Sequence, residues 1–174
     1  MPAGPLLPTE IEKNTMPSQS PYLMRAADIA ARTQSYSHPW NSLSEIHGTM
    51  MGRLLGLKRT GVNFARVPPG KESFVYHAHQ REEEWIYILS GEGQAEIDDG
   101  IYLVRAGDFM AFPTGIAHHL RNCGRDDLVY LCGGEHLNIE IADFPRLGKR
   151  MLRRGEQVDI VDIHPERELT PFGA

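Results

Sequence analysis

The chain has 174 residues, 41% of them hydrophobic and 24% charged, with a formal net charge of -5. That length supplies one self-sufficient core, the composition is that of an ordinary soluble domain, and the negative balance excludes a general affinity for nucleic acid, which needs surplus positive charge against phosphates. No apolar run approaches the ~20 residues that span a bilayer, and no basic leader with an apolar stretch and cleavage site opens the sequence, so neither membrane insertion nor export is expected. Cys123 and Cys132 are expected as reduced thiols in the cytoplasm.

Taken in chain order, residues 1–47 form an arm that begins Pro-rich and then offers one helix. Ser20 is its cap, Pro21 its first turn, and Leu23, Ala26, Ala27, Ala30 and Ala31 its weak apolar stripe. Residues 48–142 read as a small β-barrel. A strand from Thr49 to Leu57 brings Met50, Met51, Leu54, Leu55 and Leu57, and a second runs from Val62 to Val67. The segment with His77 and His79 precedes the β-rich run Trp85 to Leu89, and Ser90 to Gly93 turn the chain. Gln94 to Ile97 and Ile101 to Arg105 flank an Asp98, Asp99, Gly100 turn that suits a tight hairpin. Gly107 and Asp108 turn into Phe109 to Phe112, and Pro113 to Gly115 turn into His118 to Arg121. Residues 143–174 form a second arm, whose Phe144, Leu147, Val158, Ile160, Val161 and Ile163 are too apolar for a free tail. This arm is expected to pack on the barrel or on a second subunit. Its basic residues Arg146, Lys149, Arg150, Arg153 and Arg154 are either a solvated cluster or a contact for an anionic substrate or partner.

Side chains alternate faces along a strand, so His77 and His79 point the same way from one segment. Imidazole nitrogen and carboxylate oxygen suit divalent iron, manganese, nickel or zinc. Three neutral histidines with one carboxylate would leave such an ion about one positive charge, with about two of six positions open. Glu82, Glu83 and Glu84 are consecutive, and at most one of them can be a ligand. His118 and His119 are adjacent, so in an extended segment they face opposite sides.

Two blocks carry a family resemblance. The first is Gly70, His77, His79, Glu84 and Gly91; the second is Gly107, Pro113, Gly115, His118 and Asn122, with fifteen residues between the blocks. Together they resemble the two conserved motifs of the cupin superfamily. The one departure is that six residues, where the family usually has five, separate Gly70 from His77. The resemblance implies an all-β fold, the double-stranded β-helix or jelly-roll barrel, here with extended N- and C-terminal arms. It implies His77, His79, Glu84 and His118 as metal ligands, and it favours a homodimer with the arms across the interface.

If the two histidines face inward, so do Val75, Ile86 and Ile88. Asn63, Arg66 and Tyr76 are the candidates for substrate contact, and Tyr76, Glu83 and His119 are the candidates for a catalytic base. Asn122 reads as a turn-maker, and His38, His47, His136 and His164 as solvated or hydrogen-bonded rings. The expected activity is that of an enzyme acting on a small polar or acidic molecule through a divalent metal. It is either a sugar or sugar-phosphate isomerase-like reaction or an iron-dependent oxygenase reaction. The alternative is a non-catalytic ligand-binding or sensor barrel.

Overall fold

The computed structural model describes residues 20–163, so the Pro-rich opening of the N-terminal arm and His164 lie outside the described residues. Its elements, in chain order, are α1 (Ala26–Ala31), β1 (Gln34–Tyr36), β2 (Ile46–Thr49), α2 (Met51–Leu54), β3 (Thr60–Val67), β4 (Ala78–His79), β5 (Glu84–Ser90) and β6 (Glu92–Ile97). They continue with β7 (Gly100–Arg105), β8 (Phe109–Phe112), β9 (His118–Arg121), β10 (Leu128–Glu135), β11 (Ile139–Phe144), a 3-10 turn (Pro145–Leu147), β12 (Lys149–Arg154) and β13 (Gln157–Asp162).

Period-two alternation decides how these strands pack. In β5, Ile88 is buried while Tyr87 and Leu89 are exposed, and in β6 Ala95 is buried beside its register partner Leu120 of β9. The strands form three sheets, in the orders β1-β2-β3-β10-β5-β8, β13-β12-β11-β4 and β7-β6-β9, and every strand pair is antiparallel. Val67, Ile88, Leu128 and Tyr130 from the large sheet meet Ala95, Val104 and Leu120 from the small one in a single core. Each large aliphatic side chain fully buried there contributes about 1.5–3 kcal/mol. The result is the double-stranded β-helix. Among the described residues no helix is long and apolar enough to cross a membrane.

The stretch Thr49 to Leu57 is not the strand its apolar content predicts. β2 ends at Thr49, and α2 then makes one helical turn. Met50, Met51, Leu54 and Leu55 recur at the helical spacing, not the strand spacing. Gly56 takes φ 86°, its N–H bonds the Arg53 carbonyl, and the Leu57 N–H bonds the Gly52 carbonyl, which is the left-handed helix stop that glycine favours. Leu54 and Leu57 are consequently 47% and 51% exposed and add nothing to the core. The first helix is also shorter than predicted. Ser20 Oγ accepts the Tyr22 N–H in a local turn, and it is Asp28 whose carboxylate accepts the Arg25 N–H at the start of α1.

Both arms extend the barrel. β1 and β2 continue the large sheet beside β3. β11, β12 and β13 make a meander whose inner strand pairs with β4, Ala142 lying opposite His79.

Candidate metal centre

Three elements bring the histidines and Glu84 together. His79 ends β4, Glu84 begins β5, and His118 begins β9. His77 is joined to His118 by a pair of backbone hydrogen bonds of 3.2 and 2.8 Å. The Nε2 atoms of His118, His79 and His77 lie 3.0, 3.2 and 3.9 Å from one atom, Glu84 Oε2. His77, His79 and Glu84 offer ligand atoms all within 4.8 Å of one another. The His79 and His118 rings are the widest pair, with centroids 6.3 Å apart. His118 is held flat against Phe112 at 3.9 Å between centroids.

A divalent ion fits this donor set. Donors about 2.1 Å from one ion lie about 3.0 Å apart at right angles and about 4.2 Å apart when opposite; the three distances to Glu84 Oε2 fall in that span, and His118 reaches the centre through Glu84 while standing outside the group of three whose donor atoms all lie within 4.8 Å. Each ring is also tied on its far side. His77 Nδ1 lies 2.8 Å from the Val75 carbonyl, His118 Nδ1 3.2 Å from the Ile116 carbonyl, and His79 Nδ1 3.2 Å from Glu140 Oε1. Carbonyl and carboxylate oxygens only accept, so each Nδ1 is placed to donate; a cation, where bound, would take the Nε2 lone pairs in place of the hydrogen bonds that Nε2 of His79 and His118 make to Glu84 without one. The charges agree. Glu82 and Glu140 are buried and Glu84 is partly buried, with Arg153 as the guanidinium paired to Glu82. Glu82 and Arg153 cancel within their own ion pair, so the two formal negative charges of Glu84 and Glu140 are the ones that a divalent ion would balance.

The proton affinities of the cluster are pushed apart. Burial, then the like charge of His118, lowers the His77 pKa to about 4. Burial also acts against charge on His79, but the hydrogen bond and charge of Glu84, together with Glu140, outweigh it and raise the His79 pKa. For Glu84 burial favours the neutral acid, yet hydrogen bonds from His118 and His79 hold the carboxyl well below the usual range.

The cluster opens on a cavity of about 220 Å³ inside the barrel. Its wall is largely apolar, with Phe64, Ile86, Phe112 and Leu120 among its lining residues. Asn63 lines this cavity and Arg66 does not, pairing instead with Asp127 at 2.7 Å. The Asn63 amide has a weak partner in Cys132 Sγ at 3.9 Å. Burial, then Glu84, pushes the Cys132 thiol up to about 12, and burial raises the Tyr130 hydroxyl as well. Both therefore remain protonated.

Tyr76, Glu83 and His119 occupy different ground. Tyr76 alternates with Val75 and His77; its hydroxyl donates to the Asp98 carbonyl at 2.9 Å, and Arg146 covers its ring at 4.1 Å. Glu83 is exposed, beside Glu135. His119 borders the cavity, but its register partner is Glu96, while its neighbour Leu120 pairs with the buried Ala95. Its ring thus lies on the face opposite Leu120, with Nε2 3.5 Å from Glu72. The basic residues of the C-terminal arm are engaged within the chain: Arg146 with Glu96, Lys149 with Asp162, Arg150 with Asp143, Arg153 with Glu82 and Arg154 with Asp159. Asn122 is fully buried, and its Oδ1 accepts the Gly124 N–H two residues on, as a turn-maker should.

Sequence reasoning missed Glu140. In β11 the buried phase is Glu140, Ala142, Phe144, while Ile139 is exposed. A charged residue in phase with Ala142 and Phe144 was the available signal.

An antiparallel barrel with an inward histidine and glutamate cluster defines a class of proteins, and comparison with known proteins agrees with it. The cupin domain family matches residues 63–134. A solved structure from Acidithiobacillus ferrooxidans, provisionally assigned as a sugar phosphate isomerase, is 30% identical with a TM-score of 0.79, covering 88% of this chain and 98% of that one. An oxalate-binding protein of Thermotoga maritima is 39% identical over 70 residues, which are 39% of this chain and 57% of that protein. The alginate biosynthesis protein AlgA of Pseudomonas putida is 26% identical over 141 residues; these are 78% of this chain, which spans only 26% of that longer relative. The chain belongs to the cupin superfamily.

Proposed function

We propose that this cupin holds a divalent metal through His77, His79, Glu84 and His118, and that it acts on a small oxygen-bearing molecule inside the barrel as a sugar or sugar-phosphate isomerase-like enzyme. The observation that carries this is the convergence of three Nε2 atoms on Glu84 Oε2, each ring tied at Nδ1 to an acceptor. A bound divalent ion supplies polarisation of a carbonyl or hydroxyl oxygen and stabilises developing negative charge on it. The likeness to the Acidithiobacillus ferrooxidans structure supports the substrate class.

The chain's own residues would do the rest. Ile86, Phe112 and Leu120 exclude water and lower the local dielectric, which strengthens every charge interaction in the cavity. Asn63 lies opposite Cys132, which lies opposite Ile86, one inward position deeper along β5 than Glu84. Its carboxamide offers a donor and an acceptor to a substrate hydroxyl. Proton transfer through Tyr76 would require its hydroxyl to leave the Asp98 carbonyl, whereas His119 Nε2 is buried with no hydrogen-bond partner among the described residues, 3.5 Å from Glu72.

Ligand binding without turnover is the second reading. It is favoured by the placement of two candidate bases, the Tyr76 hydroxyl being tied to the Asp98 carbonyl and Glu83 being exposed beside Glu135. The two readings separate when the metal-loaded chain is incubated in deuterium oxide with paired aldoses and ketoses, phosphorylated and unphosphorylated. Interconversion with deuterium entering the carbon next to the carbonyl is the isomerase result. Saturable binding with no exchange would leave the non-catalytic reading in its place. Asn63→Ala should weaken substrate by about 1 kcal/mol, roughly fivefold in apparent affinity, with metal content unchanged.

A further inference from the structure

The cupin domain match ends at residue 134, yet a carboxylate that touches the candidate centre comes from beyond it. Glu140 on β11 is fully buried. Its Oε1 lies 3.2 Å from His79 Nδ1 and also accepts the backbone N–H groups of Gln80 and Arg81, at 3.2 and 3.4 Å. Its Oε2 is buried without a hydrogen-bond partner among the described residues. A carboxylate placed in the interior at such cost is poorly explained as packing, because an apolar residue of similar volume would avoid the desolvation penalty. Two backbone N–H groups and one imidazole fix its position instead.

We propose that Glu140 is the positioning residue of the centre: it holds the His79 ring in the tautomer and orientation that present Nε2 to the cation, and its negative charge makes that nitrogen a stronger donor. The inference rests on the metal reading given above. His79 differs in this from its companions, since His77 and His118 are tied to neutral backbone carbonyls and His79 to a carboxylate. The β11–β13 meander is thereby part of the site. β11 pairs with β4 at His79, and Arg153 of β12 binds Glu82, whose Oε1 also accepts the Leu137 N–H at 2.6 Å. That second ion pair closes the same loop without touching a histidine at Nδ1. A second cation between His79, Glu82 and Glu140 is disfavoured, because the Arg153 guanidinium already occupies Glu82.

The test compares the full-length chain with its Glu140→Ala, Glu140→Gln and Glu82→Gln variants. Co(II) and Mn(II) affinity would be measured by calorimetry, the Co(II) visible spectrum recorded, and metal-free thermal stability followed in parallel. Loss of an outer carboxylate partner should weaken metal binding by about 10–100-fold in Glu140→Ala and change the Co(II) bands. The loss should be smaller in Glu140→Gln, whose carbonyl oxygen still accepts from Nδ1. Glu82→Gln should lower stability while leaving affinity and spectrum close to wild type. Wild-type affinity in a folded Glu140→Ala chain, or an equal affinity loss in Glu82→Gln, would overturn the role of Glu140 alone. Should Glu140→Ala fail to fold, an unaltered affinity and spectrum in Glu140→Gln would overturn it. Failure of the wild-type chain to take up either metal would instead overturn the metal reading, and this inference with it.

Discussion

His77 is held neutral at a pH where a free imidazole would begin to charge. Its pKa of about 4 in the folded chain lies below the ordinary 6.5, so the unfolded chain binds more protons between those values. Its contribution to stability therefore falls as the pH drops from about 6.5 to about 4. His79 has the opposite sign: its raised pKa contributes stability that is present below 6.5 and lost as the pH rises through its folded value. In the metal-free chain His77→Asn should flatten the loss of stability on acidification, read as urea midpoints at a series of pH values, and an unchanged slope would contradict the assignment. Imidazole resonances should likewise show His77 titrating well below His79. Strand alternation made a shared face legible for His77 and His79, and the resemblance carried by the two motif blocks is what implied Glu84 and His118 beside them. Glu140 was not legible, since its contact with His79 spans 61 positions and depends on a pairing of β11 with β4 that no local pattern encodes.

Strand β10 carries the tightest constraint among the elements that build the site. Gly134 lies opposite Glu84, and a Cβ there would stand 2.1 Å from the Glu83 carbonyl oxygen. Gly134→Ala must push β10 away from β5 at the residue that starts the ligand strand. It should cost about 1–3 kcal/mol by overpacking and reduce metal affinity at the same time, as measured by thermal melts with and without metal. A variant that melts like wild type would show the strands free to part. β12 acts through Arg153: Arg153→Ala strands the buried Glu82 carboxylate, which is expected to cost about 3–5 kcal/mol, and a loss below 1 kcal/mol would place that pair outside the fold's supports. Most strands from Val62 to Arg121 were readable because each alternates and ends in a Gly, Asp or Pro turn. The one-turn helix α2 was misread because its four apolar residues satisfy a short strand by composition; their spacing and the Gly56 stop were the better evidence. In the C-terminal arm the apolar content showed that it packs, but not that it forms a three-stranded meander.

At the scale of the molecule, a metal ion held inside the barrel would link folding to metal. An ion that binds the folded chain alone stabilises it by about 2.7 kcal/mol at one hundred times its dissociation constant, so chelation should lower the melting temperature and readdition restore it. β7 leaves Ile101 and Leu103, two positions apart on one strand face, exposed at 68% and 79%, apolar surface that a second copy of the chain would cover. A homodimer is expected by light scattering, and a strictly monomeric mass at high concentration would contradict that. The central claim, that one divalent cation is held by three imidazoles and a carboxylate, is tested most directly by elemental analysis of the dialysed full-length chain beside Glu84→Ala. The wild type should retain about one metal ion per chain and the variant almost none. A folded wild type that retains no iron, manganese, nickel or zinc after exposure to each, or a variant that retains as much as the wild type, would contradict it.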